Sequence, residues 1–170
     1  MKNEEVKLTL FKGDFKEKVE LEHAGGGIRA GFPSPAADYM EDRIDFNRDF
    51  IINPECTFYA QCTGDSMIEE GIYDGDYLVI DKLVEPENGD IVVAFLDGDF
   101  TLKRLDIRKT PNGRRRLFLM PGNPKYDPIE IEEYNDFRIW GTLLYSIKDF
   151  SKRHPKKNRK RKSSSKNPLR

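Results

Sequence analysis

Between Thr57 and Ile147 the sequence is a succession of short runs of strand-forming residues divided by turn signals, and nothing else in it constrains the fold as tightly. TFYAQC (57–62), YLVID (77–81), DIVVAFL (90–96), FTLKRL (100–105), LFLM (117–120) and FRIWGTLLYSI (137–147) are rich in β-branched and aromatic residues. Such residues suit a pleated, half-buried surface. Asp97-Gly98 favours a two-residue hairpin turn, because both positions tolerate positive φ. Asn112-Gly113 marks a second turn, and Pro121-Gly122-Asn123-Pro124 breaks the chain again. The pattern predicts a compact, mainly β, antiparallel fold. One helix is expected, within residues 36–50, where Tyr39, Met40, Ile44 and Phe50 fall near helical spacing.

The flanks differ from this body. Residues 1–30 are mixed and charged and end in Gly25-Gly26-Gly27, the stretch with the greatest backbone freedom, followed by Ile28-Arg29-Ala30-Gly31-Phe32-Pro33-Ser34-Pro35. From Lys152 to Arg170 there are ten Lys or Arg and no acid, which leaves 19 basic against 30 acidic residues in the first 151. An acidic body thus carries a basic tail. The tail is expected to be either a solvated terminus or a sequence-independent contact for nucleic acid, since Lys and Arg displace counterions from phosphates. The reading divides the 170 residues into an arm (1–30), a folded domain (31–150) and a disordered tail (151–170). No apolar run approaches the roughly 20 residues that span a bilayer. The N-terminus lacks the apolar core of a signal peptide, so the cytoplasm is the expected compartment.

Cys56 and Cys62 lie at either end of one expected strand, roughly 20 Å apart if extended, and are read as ordinary thiols rather than a disulfide or zinc site. No metal or cofactor is expected. The sharpest local signal is Thr63-Gly64-Asp65-Ser66-Met67, directly after a strand. Gly64 permits a tight turn, and Asp65 or Ser66 can cap a helical turn through Met67, Ile68 and Glu69. A serine there is either a cap or a nucleophile standing beside backbone N–H groups able to hold an oxyanion. A nucleophilic serine needs a base. His23 lies in the arm and His154 in the tail, which leaves lysine. Lys103 sits in an apolar strand whose alternation puts Thr101, Lys103 and Leu105 on one face. It is either an edge lysine turned to solvent or, if buried, an amine whose lowered pKa lets it accept a proton.

Several blocks in order resemble the LexA/UmuD family of self-cleaving serine peptidases. Ala30 to Tyr39 (AGFPSPAADY) resembles the cleavage region of UmuD-type members, and Gly64-Asp65-Ser66-Met67 the nucleophile motif. Asp74-Gly75-Asp76, Gly89-Asp90-Ile91-Val92 and Gly98-Asp99-Phe100-Thr101-Leu102-Lys103 are similar to the blocks that follow. The resemblance implies a LexA/UmuD-type β fold with a flexible N-terminal arm. In it Ser66 and Lys103 form a dyad that cuts the Ala30–Gly31 bond, with Gly64, Asp65 and Met67 shaping the nucleophile turn. LexA-like repressors carry a helix-turn-helix domain ahead of the cleavage site, whereas residues 1–30 offer no helix pair. The role implied is therefore that of UmuD in the SOS response. That role is a homodimer, activated by a RecA–single-stranded DNA filament, whose trimmed form joins a UmuC-like translesion polymerase. A noncatalytic interaction module, a signal-peptidase relative and a truncated phage-type repressor are the competing readings. The basic stretch Pro111 to Arg116 and the tail after Phe150 depart from the family pattern.

Overall fold

The computed structural model describes residues 9–12, 20–24 and 40–150. These contain ten strands: β1 (Thr9–Lys12), β2 (Glu20–Ala24), β3 (Met40–Asp45), β4 (Thr57–Gln61), β5 (Tyr77–Asp81), β6 (Ile91–Leu96), β7 (Asp99–Lys109), β8 (Arg115–Met120), β9 (Ile129–Ile131) and β10 (Phe137–Ile147). Eight form one antiparallel sheet in the order β1-β4-β5-β10-β6-β7-β8-β9, and β2 and β3 form a separate ribbon. The sheet is the mainly β architecture that the strand pattern predicts.

The six runs expected as strands are all strands. Asp97 and Gly98 make the β6–β7 turn with φ of 49° and 105°, so that Leu96 pairs with Asp99 and Val92 with Lys103. β7 and β8 run further than their apolar cores suggest, because the backbone ladder continues through polar residues, Arg108↔Arg116 and Lys109↔Arg115. Arg108 donates to Asp106, and the Arg108 and Arg116 guanidinium groups lie 4.2 and 5.3 Å from the Phe118 ring centroid. β10 runs through the middle, bonded to β5 on one side and β6 on the other. A Cβ at Gly141 would stand 2.7 Å from Ile80 Cγ2, so only glycine fits where β10 shifts register.

Alternation sends side chains to two apolar clusters. Ala60, Cys62, Met67, Ile72, Leu78, Ile80, Val93 and Leu102 form one, and Val92, Ala94, Leu105 and Leu119 the other. Cys56 and Cys62 are free thiols. Asp81, fully buried at the end of β5, accepts hydrogen bonds from Asn53 Nδ2 (2.9 Å), Leu83 N (2.7 Å) and Val84 N (3.3 Å), which ties the segment before β4 to the segment after β5 at the end of the pair where Thr57 faces Asp81.

The helix expected within 36–50 is corrected. Residues 40–45 are strand β3, and among the described residues of that window only Phe46–Phe50 is helical, as α1. The Asp45 carboxylate caps α1 by accepting from Asn47 N (3.1 Å) and Arg48 N (3.3 Å). Residues 40–45 pair instead with β2, from Glu20↔Asp45 to Ala24↔Met40, and this long-range ladder overrides the local periodicity. Tyr39 lies outside the described residues. Within the N-terminal 30 residues, β1 pairs with the outer edge of β4 from Thr9↔Gln61 to Lys12↔Phe58. The tail, residues 151–170, lies outside the described residues.

Candidate active site

The Thr63–Met67 turn is held at both ends by backbone. Cys62 donates to the Asp76 carbonyl (2.9 Å) and Gly75 to the Cys62 carbonyl (2.8 Å), which clasps the end of β4 to the loop before β5. Gly64 then turns with φ of 100°, and its N–H bonds Asp74 Oδ1 at 3.0 Å. On the far side the Met67 side chain, 1% exposed, is set in the core. A short 3-10 turn follows, Ile68–Glu70, closed by Gly71 N to Ile68 O. Neither Asp65 nor Ser66 caps that turn, contrary to the capping reading. Its N-cap is Met67, with no side-chain hydrogen bond, because Asp65 and Ser66 are engaged elsewhere.

Ser66 points inward and is 2% exposed. Lys103, 6% exposed, meets it from the middle of β7, with Nζ 3.0 Å from Ser66 Oγ. Nζ also lies 3.1 Å from Thr101 Oγ1 and 3.0 Å from the Leu102 carbonyl oxygen. Lys103 is thus not the edge lysine of the bland alternative. Burial pushes its pKa down from 10.5 to about 8, since the ammonium loses water and no carboxylate bonds it. The Cys62 sulfur is the secondary influence and acts upward only as a thiolate. Burial raises the Cys62 thiol to about 11, so it is uncharged near neutral pH and supplies no counter-charge. In the neutral form Nζ has a lone pair and can accept the Ser66 hydroxyl proton.

The backbone N–H groups of Ser66 and Met67 make no hydrogen bond among the described residues, whereas those of Glu69, Glu70 and Gly71 do. Asp65 faces a different partner, the loop after β8. Its carboxylate accepts from Tyr126 Oη and from Lys125 Nζ (3.3 Å), and these bonds, Tyr126 first, hold it below its ordinary pKa. The structure therefore brings together Gly64, Asp65, Ser66, Met67 and Lys103. Ala30 and Gly31 lie outside the described residues. Sequence reasoning missed two contributors. Thr101 is visible only as the strand neighbour two residues before Lys103, and the loop after β8 only through the chain break at Pro121 to Pro124, with no signal at Lys125 or Tyr126.

A peptidase family model, Peptidase S24-like, matches residues 24–144. The chain belongs to this family. Among curated proteins, SamA of Salmonella typhimurium is 46% identical over 119 residues, covering 70% of this chain and 81% of SamA. MucA of Escherichia coli is 36% identical over 121 residues, 71% of this chain and 79% of MucA. A LexA repressor of Carboxydothermus hydrogenoformans is 40% identical over 119 residues, 70% of this chain but only 55% of the repressor. The chain is a UmuD-like member of the S24 family, and the serine and lysine just described lie within the matched segment. Among the described residues no helix is long and apolar enough to cross a membrane, and no group of three His, Cys, Asp or Glu side chains is arranged to hold a metal ion.

Proposed function

We propose that this S24 member is a self-cleaving serine peptidase that cuts its own chain between Ala30 and Gly31. The observation that carries the reading is the buried 3.0 Å contact of Lys103 Nζ with Ser66 Oγ, made by a lysine whose pKa is pushed down to about 8. Neutral Lys103 takes the hydroxyl proton as Ser66 Oγ attacks the Ala30 carbonyl carbon. The oxyanion that forms is held by the N–H groups of Ser66 and Met67. Collapse breaks the Ala30–Gly31 bond, Lys103 returns the proton to the departing Gly31 amine, and residues 1–30 remain as an ester on Ser66. Water, deprotonated by Lys103, then releases the arm. The reaction is intramolecular and needs a docked conformer rather than substrate affinity.

The biological role follows the likeness to SamA, MucA and LexA. The trimmed chain acts in SOS mutagenesis as a homodimer with a UmuC-like translesion polymerase, and a RecA–single-stranded DNA filament promotes the docked conformer. The tail from Lys152 adds salt-dependent, nonspecific affinity for nucleic acid, which deletion of residues 152–170 removes. The cleavage reading is tested by a time course on purified protein at mildly alkaline pH. The wild type shortens, while Ser66→Ala and Lys103→Ala stay intact; shortening of either variant at the wild-type rate defeats the assignment.

A further inference from the structure

The turn that carries Ser66 is gripped by a loop that the dyad mechanism does not use. Gly122 O accepts from Glu69 N at 2.7 Å, and Tyr126 and Lys125 hold the Asp65 carboxylate. Asn123, 7% exposed, does something more specific: its Nδ2 donates to the Asp65 backbone carbonyl at 2.9 Å. That carbonyl shares a peptide plane with the Ser66 N–H, and in a trans peptide the two point in opposite directions. No cis peptide is present among the described residues. Holding the Asp65 oxygen on the Asn123 side therefore aims the Ser66 N–H away from it, where that N–H has no partner among the described residues. Asn123 is itself locked, because its Oδ1 accepts from Lys125 N at 3.0 Å and its carbonyl from Tyr126 N at 3.1 Å. The bond from Lys125 N, which needs an acceptor, also fixes which end of the side-chain amide is the donor.

We infer that Asn123 is a positioning residue that orients the Ser66 N–H as an oxyanion donor for the self-cleavage proposed above, on which this inference rests. Removing an oxyanion donor outright lowers an acyl transfer roughly 100- to 1000-fold, so a donor left in place but free to turn should cost roughly 10- to 100-fold. Lys103 lies outside this set of contacts, and the pH midpoint of cleavage should not move.

Asn123→Asp tests this most narrowly, since it keeps the acceptor for Lys125 N and replaces only the amide that grips Asp65; Asn123→Ala is the second variant. Both are assayed for self-cleavage across pH. Both are also made in a Ser66→Cys background and treated with iodoacetamide, a substitution in which sulfur displaces iodide and no oxyanion forms. The expected result is cleavage slowed roughly 10- to 100-fold with an unmoved midpoint, and alkylation at residue 66 within about twofold of the Ser66→Cys parent. Cleavage at the wild-type rate in both variants overturns the inference. So does a parallel fall in cleavage and alkylation, which marks Asn123 as a general support of the fold. A wild type that never shortens, or a Ser66→Ala chain that shortens equally, removes the underlying reading and this inference with it.

Discussion

Raising the pH should switch the proposed cleavage on through one group, Lys103. Its pKa falls from 10.5 to about 8 because β7 carries the amine into a site where its partners are two hydroxyls and a carbonyl, none of them charged. Near pH 7 a group with pKa 8 is uncharged in about one molecule in 11, and one with pKa 10.5 in roughly one in 3000. Burial thus supplies a roughly 300-fold gain in competent base at neutral pH. The neutral amine is the reactive form, so the rate should rise about tenfold per pH unit below 8 and level off by about pH 9. Initial rates of loss of the full-length chain, taken between about pH 6 and pH 10.5, read the profile directly. Lys103→Arg should be inert at every pH, because a guanidinium keeps its proton. A midpoint near 10.5, a flat profile, or a rate falling as pH rises would refute a desolvated lysine as the base.

The same burial carries a stability consequence, and its sign can be worked out. The folded pKa lies below the unfolded one, so between about pH 8 and pH 10.5 the unfolded chain binds more protons and stability rises with pH. Below about pH 8 the full shift, about 3 kcal/mol, opposes folding. Urea unfolding should therefore find Lys103→Met more stable than uncleavable Ser66→Ala near pH 7 by up to about 3 kcal/mol, with the gap closing above pH 10; a Met variant no more stable near pH 7 argues against this. Asp81→Ala leaves Asn53 Nδ2, Leu83 N and Val84 N without their shared acceptor and should cost about 2–4 kcal/mol in the same assay. Removal of residues 1–30 takes β1 from the β4 edge, so amides within Thr57–Gln61 should exchange faster in the trimmed chain than in full-length Ser66→Ala. Equal protection in the two would mean that β1 does not hold that edge.

What could be read in advance was local. TFYAQC, YLVID and FRIWGTLLYSI announce β4, β5 and β10 because apolar and β-branched runs carry their own signal, and Asp97-Gly98 announces its hairpin through the φ values it tolerates. Residues 40–45 misled because their fate depends on β2, some twenty residues earlier, and no local period reports such a partner. β9, three residues long among acids, is strand only because Leu117 and Leu119 of β8 pair with Ile131 and Ile129. At the site, residue chemistry left Ser66 and Lys103 with two readings each. The choice turned on whether β7 aims Lys103 inward, a matter of sheet order and not of the strand's own sequence. Asn123 was hidden for a related reason: a chain break is legible, but the carbonyl that its amide grips, at Asp65, is brought there only by the fold.

The central claim is that Ser66 opens the bond between Ala30 and Gly31. Intact-mass spectrometry of the purified chain after incubation at about pH 9, beside Ser66→Ala, tests it most directly. The account predicts two products, residues 1–30 and a chain beginning at Gly31, from the wild type and none from the variant. A different new N-terminus, or the same products from Ser66→Ala, would contradict it.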